Sequence, residues 1–314
     1  MCYFISPFHF NVPFELADYF PDRKKYFIEI GFGRGDFALY LAQNQQDVGY
    51  LGVEISSRSV LKLIRKLLKT KIDNIKAIKI DAFMLFSIIE PAFSIDNIIF
   101  NFPDPWPGHP ERRVSSKEHL LLMHRILKRD GSLYIATDAD ILKEDIEQNT
   151  KGLFYLEKSK MPYFTFQTKY EKRWILEKRD IIYYRLTPLL YAGKYPILAY
   201  KGDGNMAHVI FKLKDKMKDL DLPLPVRLRP LNDMIIIIQR PYKRVEEYLF
   251  PVLVKERGFV QKTFFRLYVR GDEARLILDD TGYLVVTEGI RKAMAYLRDM
   301  LLKMGHIEVI RDTT

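Results

Sequence analysis

Residues 26–35 read Tyr26-Phe27-Ile28-Glu29-Ile30-Gly31-Phe32-Gly33-Arg34-Gly35, and the punctuation of this stretch decides the fold. An aromatic and β-branched run, which reads as a strand, ends on a carboxylate and passes into three alternating glycines. Glycine reaches left-handed backbone without a Cβ penalty, so the turn can be tight and its backbone can approach a ligand closely. The dinucleotide fingerprint spaces its glycines G-x-G-x-x-G, which sets a helix N-terminus against a pyrophosphate. Here the third glycine comes one residue early, and Glu29 stands two residues before the first. An acidic group at the turn suits a cationic ligand better than a diphosphate.

The same alternation continues beyond the turn. Tyr26–Ile30, Val48–Ile55, Ile75–Asp81, Ile95–Phe100 and Ser132–Thr137 read as strands. Between them, Ser57–Leu68 carries apolar residues at 60, 61, 64, 67 and 68 with Lys62, Arg65, Lys66 and Lys69 around them, which predicts a helix with a basic outer face. Lys117–Lys128 predicts a second helix, with Asp130-Gly131 as its stop. The spacing predicts an α/β, Rossmann-like parallel sheet with right-handed crossovers, whose ligands sit at the carboxyl ends of the strands. Acids stand at three successive strand ends: Glu29, Glu54 in Gly52-Val53-Glu54, and Asp81 in Asp81-Ala82. A carboxylate at Glu54 can accept both hydroxyls of an adenosine ribose, and Asp81 can reach an adenine amino group. With Gly31, Gly33 and Gly35, these residues fit S-adenosylmethionine, whose sulfonium and amino groups are cationic.

The fourth strand runs into Asn101-Phe102-Pro103-Asp104-Pro105-Trp106-Pro107. Prolines on both sides restrict the backbone around Asp104, and Trp106 offers a flat face to a base. Arg112-Arg113 follow, placed to hold phosphate. His119 and His124 are five apart and fall on different sides of a helix, so no metal site is expected.

The 314 residues exceed one ordinary domain, and the charge, 50 Lys and Arg against 40 Asp and Glu, favours a polyanionic partner such as nucleic acid. Pro188, Gly193, Pro196, Gly202 and Gly204 mark a junction, dividing the chain into domains at 1–195 and 196–314. Past it, Met206–Leu213, Asp233–Ile238, Phe259–Arg270, Ala274–Leu278 and Tyr283–Val286 read as strands, and Thr287–Met304 as a helix capped by Thr287 and ended by Gly305. That predicts a smaller C-terminal α+β domain. Phe211, Tyr242, Phe264, Phe265 and Tyr268 are interleaved there with Lys and Arg, and build either a core or a base-stacking surface. A single cysteine, Cys2, excludes an intrachain disulfide and a Cys-rich zinc site. The start lacks a secretory n-region, and no apolar run approaches ~18 residues, so a cytoplasmic protein without a membrane partner is expected.

Glu29–Gly35, Gly52-Val53-Glu54, Asp81-Ala82, Phe102–Pro107, Thr137-Asp138 and Thr168-Lys169-Tyr170-Glu171 occur in the order of the motifs of bacterial tRNA (guanine-N7-)-methyltransferases, which residues 25–187 resemble. The resemblance implies a class I S-adenosylmethionine-dependent methyltransferase sheet, with Glu29, Glu54 and Asp81 on the cofactor and Asp104 touching both cofactor and target base. It also implies that Asp138 and Thr168, Lys169, Tyr170 and Glu171 contact a guanosine in the variable loop of tRNA. The chain departs from that pattern at Gly108-His109-Pro110-Glu111, where the family carries a longer basic run; Gly108 replaces a lysine expected at the substrate. Two other classes compete: a methyltransferase acting on another RNA or on an exocyclic amine, and a non-catalytic RNA-binding protein of the same fold.

Overall fold

The structure, a computed structural model, describes residues 2–6, 13–195, 207–214, 220–245, 247–256, 259–279, 285–305 and 307–314. Of these, residues up to 195 form one compact unit and those from 207 onward a second. The first contains β1 (Phe4–Ile5), β2 (Lys25–Ile30), α1 (Asp36–Asn44), β3 (Val48–Glu54), α2 (Ser57–Thr70), β4 (Ile75–Lys79), α3 (Ala82–Ile88) and β5 (Ile95–Asn101). It continues through α4 (Lys117–Ile126), β6 (Leu127–Thr137), α5 (Asp140–Asn149), β7 (Phe154–Ser159), α6 (Lys169–Leu176) and β8 (Ile182–Pro188).

Its sheet runs β1-β4-β3-β2-β5-β6-β8-β7. The first six strands are parallel; β8 is antiparallel to β6, and β7 to β8. From β2 the chain winds outward one way through β3 and β4, then returns to build β5 and β6 on the other side. That reversal opens a crevice at the carboxyl ends of β2 and β5, which is where the glycine turn and the 101–107 loop emerge. β3 is buried on both faces from Val48 to Val53, as a central parallel strand must be.

The expected elements are present with altered edges. In α2 the buried positions are Val60, Leu63 and Leu67, while Leu61 and Leu68 face solvent. The helix before β6 stops at Ile126, not at Asp130-Gly131. Gly131 instead lies inside β6 at a shift of register, where a Cβ would stand 2.8 Å from the Asp96 carbonyl oxygen. β1, β7 and β8 escape the sequence pattern: β1 has two residues, and β8 alternates polar with apolar positions beside long charged runs.

The second unit is α+β. It comprises β9 (His208–Leu213), β10 (Val226–Leu231), β11 (Met234–Ile238), β12 (Tyr242–Arg244), β13 (Glu247–Glu256), β14 (Phe259–Arg270), β15 (Glu273–Leu278), α7 (Glu288–Leu302) and β16 (Ile307–Asp312). Its antiparallel sheet runs β10-β11-β13-β14-β15-β9-β16, with β12 also paired to β13. β13 is not legible in the sequence because Pro251 interrupts it. The structure accommodates that proline where β11 has ended: the Pro251 carbonyl accepts Gln239 N–H at 2.9 Å, so its missing donor falls on the side without a strand partner. Met206 and Tyr283 lie outside the described residues, and Val285 and Val286 belong to no strand. The cap of α7 comes from Glu256 of β13, which accepts Gly289 N–H at 3.0 Å and the Thr287 hydroxyl, so Thr287 does not cap by itself. Strand parity divides the aromatics of this unit. Phe211 and Phe265 are fully buried, whereas Tyr242 and Phe264 are exposed.

Gly31 and Gly35 both hold left-handed backbone, at φ +69° and +70°. A Cβ at Gly35 would lie 2.7 Å from Leu63 Cδ1 on α2, whereas one at Gly31 would meet nothing within 4 Å. Gly35→Ala should therefore destabilise the chain more than Gly31→Ala, by about 1–3 kcal/mol in denaturant melts, because only the former adds overpacking to backbone strain. Equal losses would place the whole cost in the backbone.

Candidate active site

The glycine turn is held from two sides. Gly31 N–H donates to the Val53 carbonyl at 2.9 Å, and Gly33 N–H donates to Glu54 Oε2 at 3.2 Å. The other Glu54 oxygen accepts Ile55 and Ser56 N–H at 2.9 and 3.0 Å, so the carboxylate is fixed at the end of β3. Glu29, at the end of β2, is 2% exposed. Tyr50 Oη donates to Glu29 Oε2 at 2.8 Å and Asn101 Nδ2 to Oε1 at 3.4 Å. Burial pushes its carboxyl up to about 7, against the lowering effect of those two hydrogen bonds. Asp81 Oδ1 accepts Phe83 and Met84 N–H, both at 3.0 Å, and so caps α3. All three strand-end acids thus stand where the sequence places them, and Asn101 joins the first to the loop after β5.

That loop is strained. Phe102 and Trp106 adopt φ of +58° and +42°, a region that costs non-glycine residues of order 1–3 kcal/mol each. Phe102 N–H donates to the Ala136 carbonyl at 2.8 Å, and its ring meets Trp174 edge-on at 4.3 Å. The stronger restraint is Arg113, 6% exposed. Its Nε donates to the Pro105 and Trp106 carbonyls at 3.1 and 3.3 Å, Nη2 to the Pro107 carbonyl at 3.0 Å, and Nη1 to Asp145 Oδ2 at 2.8 Å. Arg113 is therefore not a phosphate ligand, as its place in a dibasic pair suggested; its fork is consumed under the loop. Arg112 remains exposed, with its guanidinium 5.1 Å from the Trp106 ring. Asp104 is exposed on the loop and, among the described residues, accepts Trp106 N–H alone, at 3.3 Å. Gly108 leaves open space around its Cα.

His119 connects this loop to the Asp81 corner. One ring nitrogen lies 2.7 Å from the Arg113 carbonyl oxygen, and the ring stacks on Phe83, beside Asp81, with centroids 3.3 Å apart. Burial lowers its pKa. Its structural role is invisible in the sequence, where it is one histidine on an amphipathic helix.

A cavity beside the loop is lined by Asn101, Ala136, Glu171 and Tyr183, and walled by Phe37, Tyr134, Phe164 and Phe166. Glu171 is 4% exposed and accepts the Tyr183 hydroxyl at 2.6 Å. Thr168 and Glu171 also form a reciprocal capping box: Glu171 N–H donates to Thr168 Oγ1 at 3.1 Å and Thr168 N–H to Glu171 Oε2 at 3.0 Å. The Thr-x-x-Glu spacing thus starts α6 as well as placing a carboxylate at the cavity. The side chains of Lys169 and Tyr170 lie outside what is described. Asp138, expected at the substrate, is engaged by Arg179 at 2.8 Å. Tyr50 and Tyr183, which orient the two buried acids, read in the sequence as ordinary strand aromatics. No group of three or more acidic, His or Cys side chains that could hold a metal occurs among the described residues, and no described helix is long and apolar enough to cross a membrane.

Residues 23–184 match the model of a family described as putative methyltransferase. The chain is 27% identical over 283 residues to a tRNA (guanine-N(7)-)-methyltransferase of Aquifex aeolicus, covering 87% of this chain and 93% of the relative. It is 25% identical to the protein of that name from Thermotoga maritima, over 96% of this chain and 98% of the relative. A shorter relative of the same name, from an Exiguobacterium species, is 32% identical over 47% of this chain and 72% of its own length.

Two consequences follow from this geometry. A carboxyl raised toward 7 in the folded state binds its proton more tightly than in the unfolded chain, so the stability it contributes is complete below about 4.5 and is lost as pH rises to 7. Thermal melts between pH 5 and 8 should show this decline, and Glu29→Gln should flatten it, raising stability at pH 8 by on the order of 1–3 kcal/mol. Arg113→Lys keeps the charge but removes the fork, and should cost about 2–4 kcal/mol in denaturant melts because a buried side chain loses most of its hydrogen bonds to the Pro105 and Pro107 carbonyls and Asp145. A loss under 1 kcal/mol would show that the strained loop stands without Arg113.

Proposed function

We propose, on the premise that the chain belongs to the putative methyltransferase family and within it to the tRNA (guanine-N(7)-)-methyltransferases, that it methylates guanine N7 in tRNA with S-adenosylmethionine as the methyl donor. The target nucleotide is taken from the variable loop, and the setting is the cytoplasm. The observation that carries the reading is the convergence of Glu29, Glu54 and the glycine turn on one side of the crevice with the Asn101–Pro107 loop on the other, joined by the Asn101–Glu29 hydrogen bond.

The residues fit such a cofactor. The open space at Gly31 and the fixed Glu54 carboxylate suit a nucleoside laid against the turn, and the buried acid at Glu29 suits a cationic group. S-adenosylmethionine, when bound, supplies a methyl group activated by the sulfonium. Glu29, Glu54 and Asp81 hold it, and Asp104 orients both it and the base. A proton shared by Glu29 near pH 7 is lost in favour of a cationic partner, so binding draws the carboxyl into its charged form.

Guanine N7 already carries an in-plane lone pair, so no side chain has to remove a proton. The chain's work is orientation, for which effective molarities allow ~7–11 kcal/mol. As the N7–CH3 bond forms, the donor's S–CH3 bond breaks and its electron pair returns to sulfur, leaving the neutral thioether S-adenosylhomocysteine; the positive charge passes to the guanine, where the carboxylates of Asp104 and Glu171 stabilise it. Asp138, Thr168, Lys169, Tyr170 and Arg112 complete the proposed substrate side. A strained, clamped loop suits Asp104 to this task, because its position is set before substrate arrives.

Incubation of the chain with S-adenosylmethionine and unmodified tRNA, followed by mass spectrometry of the nucleosides, should yield 7-methylguanosine. N2-methylguanosine or N6-methyladenosine would establish the exocyclic-amine reading instead. Asp104→Asn should lower kcat by roughly 10²-fold or more with an unchanged pH profile, as expected of an orienting group. Near-normal turnover would remove Asp104 from the centre of the reaction.

A further inference from the structure

The sheet of the second unit has one covered face and one bare face. Helix α7 packs with Phe211, Phe250, Val254, Phe265 and Leu276 in a single core. The alternate residues of each strand point the other way, and the one described helix of this unit, α7, packs with the opposite face. On that bare face stand Lys212, Arg227, Arg244, Lys255, Lys262 and Arg270, all exposed. None of the six has an ion-pair partner among the described residues. Most acids of the face are already engaged, Glu247 and Asp279 by Arg266, and Glu273 by Arg275. Residues 201–314 carry 21 Lys and Arg against 16 Asp and Glu, so the unit is basic as a whole.

Aromatic rings lie among them. Tyr242 is 67% and Phe264 37% exposed, and Tyr268 shares their side of the sheet. Strand register places Arg227, Ile237, Leu253 and Lys262 in one row, and Arg244, Glu247, Tyr268 and Arg275 in another. Neighbouring strands lie ~4.8 Å apart and alternate residues ~6.8 Å, so the six strands from β10 to β9 spread cations over roughly 24 Å. That is a grid on the scale of successive phosphates, with flat apolar surfaces between the charges.

We propose that this bare face is a docking surface for tRNA, its cations taking phosphates and its aromatics stacking on unpaired bases. The proposal rests on the tRNA-methylating reading above and extends it to a part of the chain that reading does not use. A second copy of the chain suits the face poorly. A two-fold interface would set the same unpaired cations against one another, which destabilises association.

The test uses the full chain with Lys255→Glu, Lys262→Glu and Arg270→Glu combined, at three exposed positions of the bare face. Filter binding of tRNA against salt should show the slope of log K on log salt falling by roughly 2–3 and the affinity falling at least tenfold. The KM for tRNA should rise in step, while kcat at saturating tRNA and the affinity for S-adenosylmethionine stay within twofold. Lys303→Glu, at the end of α7, should change the affinity less than twofold. An unchanged slope and KM in the triple variant would overturn the proposal, as would an equal loss in Lys303→Glu. A wild-type dimer in light scattering that the triple variant dissociates without loss of tRNA affinity would assign the face to a second copy. Absence of 7-methylguanosine from the wild-type reaction, with tRNA binding still dependent on the face, would sink the activity and leave the docking surface standing.

Discussion

One guanidinium holds the reactive half of this chain in shape. Arg113 donates to three consecutive carbonyls of the 105–107 segment and to Asp145, and it does so from a position 6% exposed. A planar fork can satisfy several oxygens at fixed angles, which an ammonium cannot. Without it, the segment would carry one left-handed non-glycine residue, Trp106, while the Pro105 and Pro107 carbonyls lost their Arg113 donor, and it would relax. The prolines around Asp104 restrict φ but supply no hydrogen bond, so they narrow the loop's choices without selecting one. The Arg113 carbonyl, 2.7 Å from a His119 ring nitrogen, ties the same residue to Phe83 and the Asp81 corner. Loop and nucleoside corner are thereby parts of one packed assembly.

The electrostatics of the first unit follow from burial more than from net charge. The chain is basic as a whole, yet its crevice is acidic, and Glu29 is kept there at a cost. A buried carboxyl with a pKa near 7 is poised between forms, and Tyr50 and Asn101 hold its oxygens in place in either. Such a group favours a cation over a neutral molecule without attracting the anionic substrate. On the proposed reading, separating the acids of the crevice from the bases of the second unit lets one protein hold ligands of opposite charge.

How much of this is legible in the sequence depends on whether the signal is local. The glycine turn, the three strand-end acids and the parallel core of the sheet follow from spacing, because alternating strands and helices leave few alternatives. Arg113 is misread because a dibasic pair looks the same whether its second member faces solvent or is folded under its own loop. The Thr168–Glu171 spacing is a helix-start signature in its own right, and the resemblance to substrate motifs hides that second role. Pro251 conceals β13 because the pattern cannot show that its strand partner has already ended. Aromatics at strand spacing cannot be assigned to a face until register is known; then Phe265 goes inward and Phe264 outward.

The two units differ in what binding can contribute. Phosphate contacts made equally with bound substrate and with the transition state lower KM and leave kcat alone. Only groups that sense the reacting base, or the charge it acquires, accelerate the chemistry. The bare cationic face of the second unit belongs, on the proposal above, to the first kind: its unpaired cations are exposed and stand on paired strands. The loop bearing Asp104 belongs, on the proposed reading, to the second kind, with left-handed residues, a buried clamp and a carboxylate that accepts one backbone N–H among the described residues. A carboxylate fixed on a clamped loop, as against cations offered on exposed side chains, is what separates an orienting site from an adhesive one. On that criterion the first unit carries the rate and the second carries affinity.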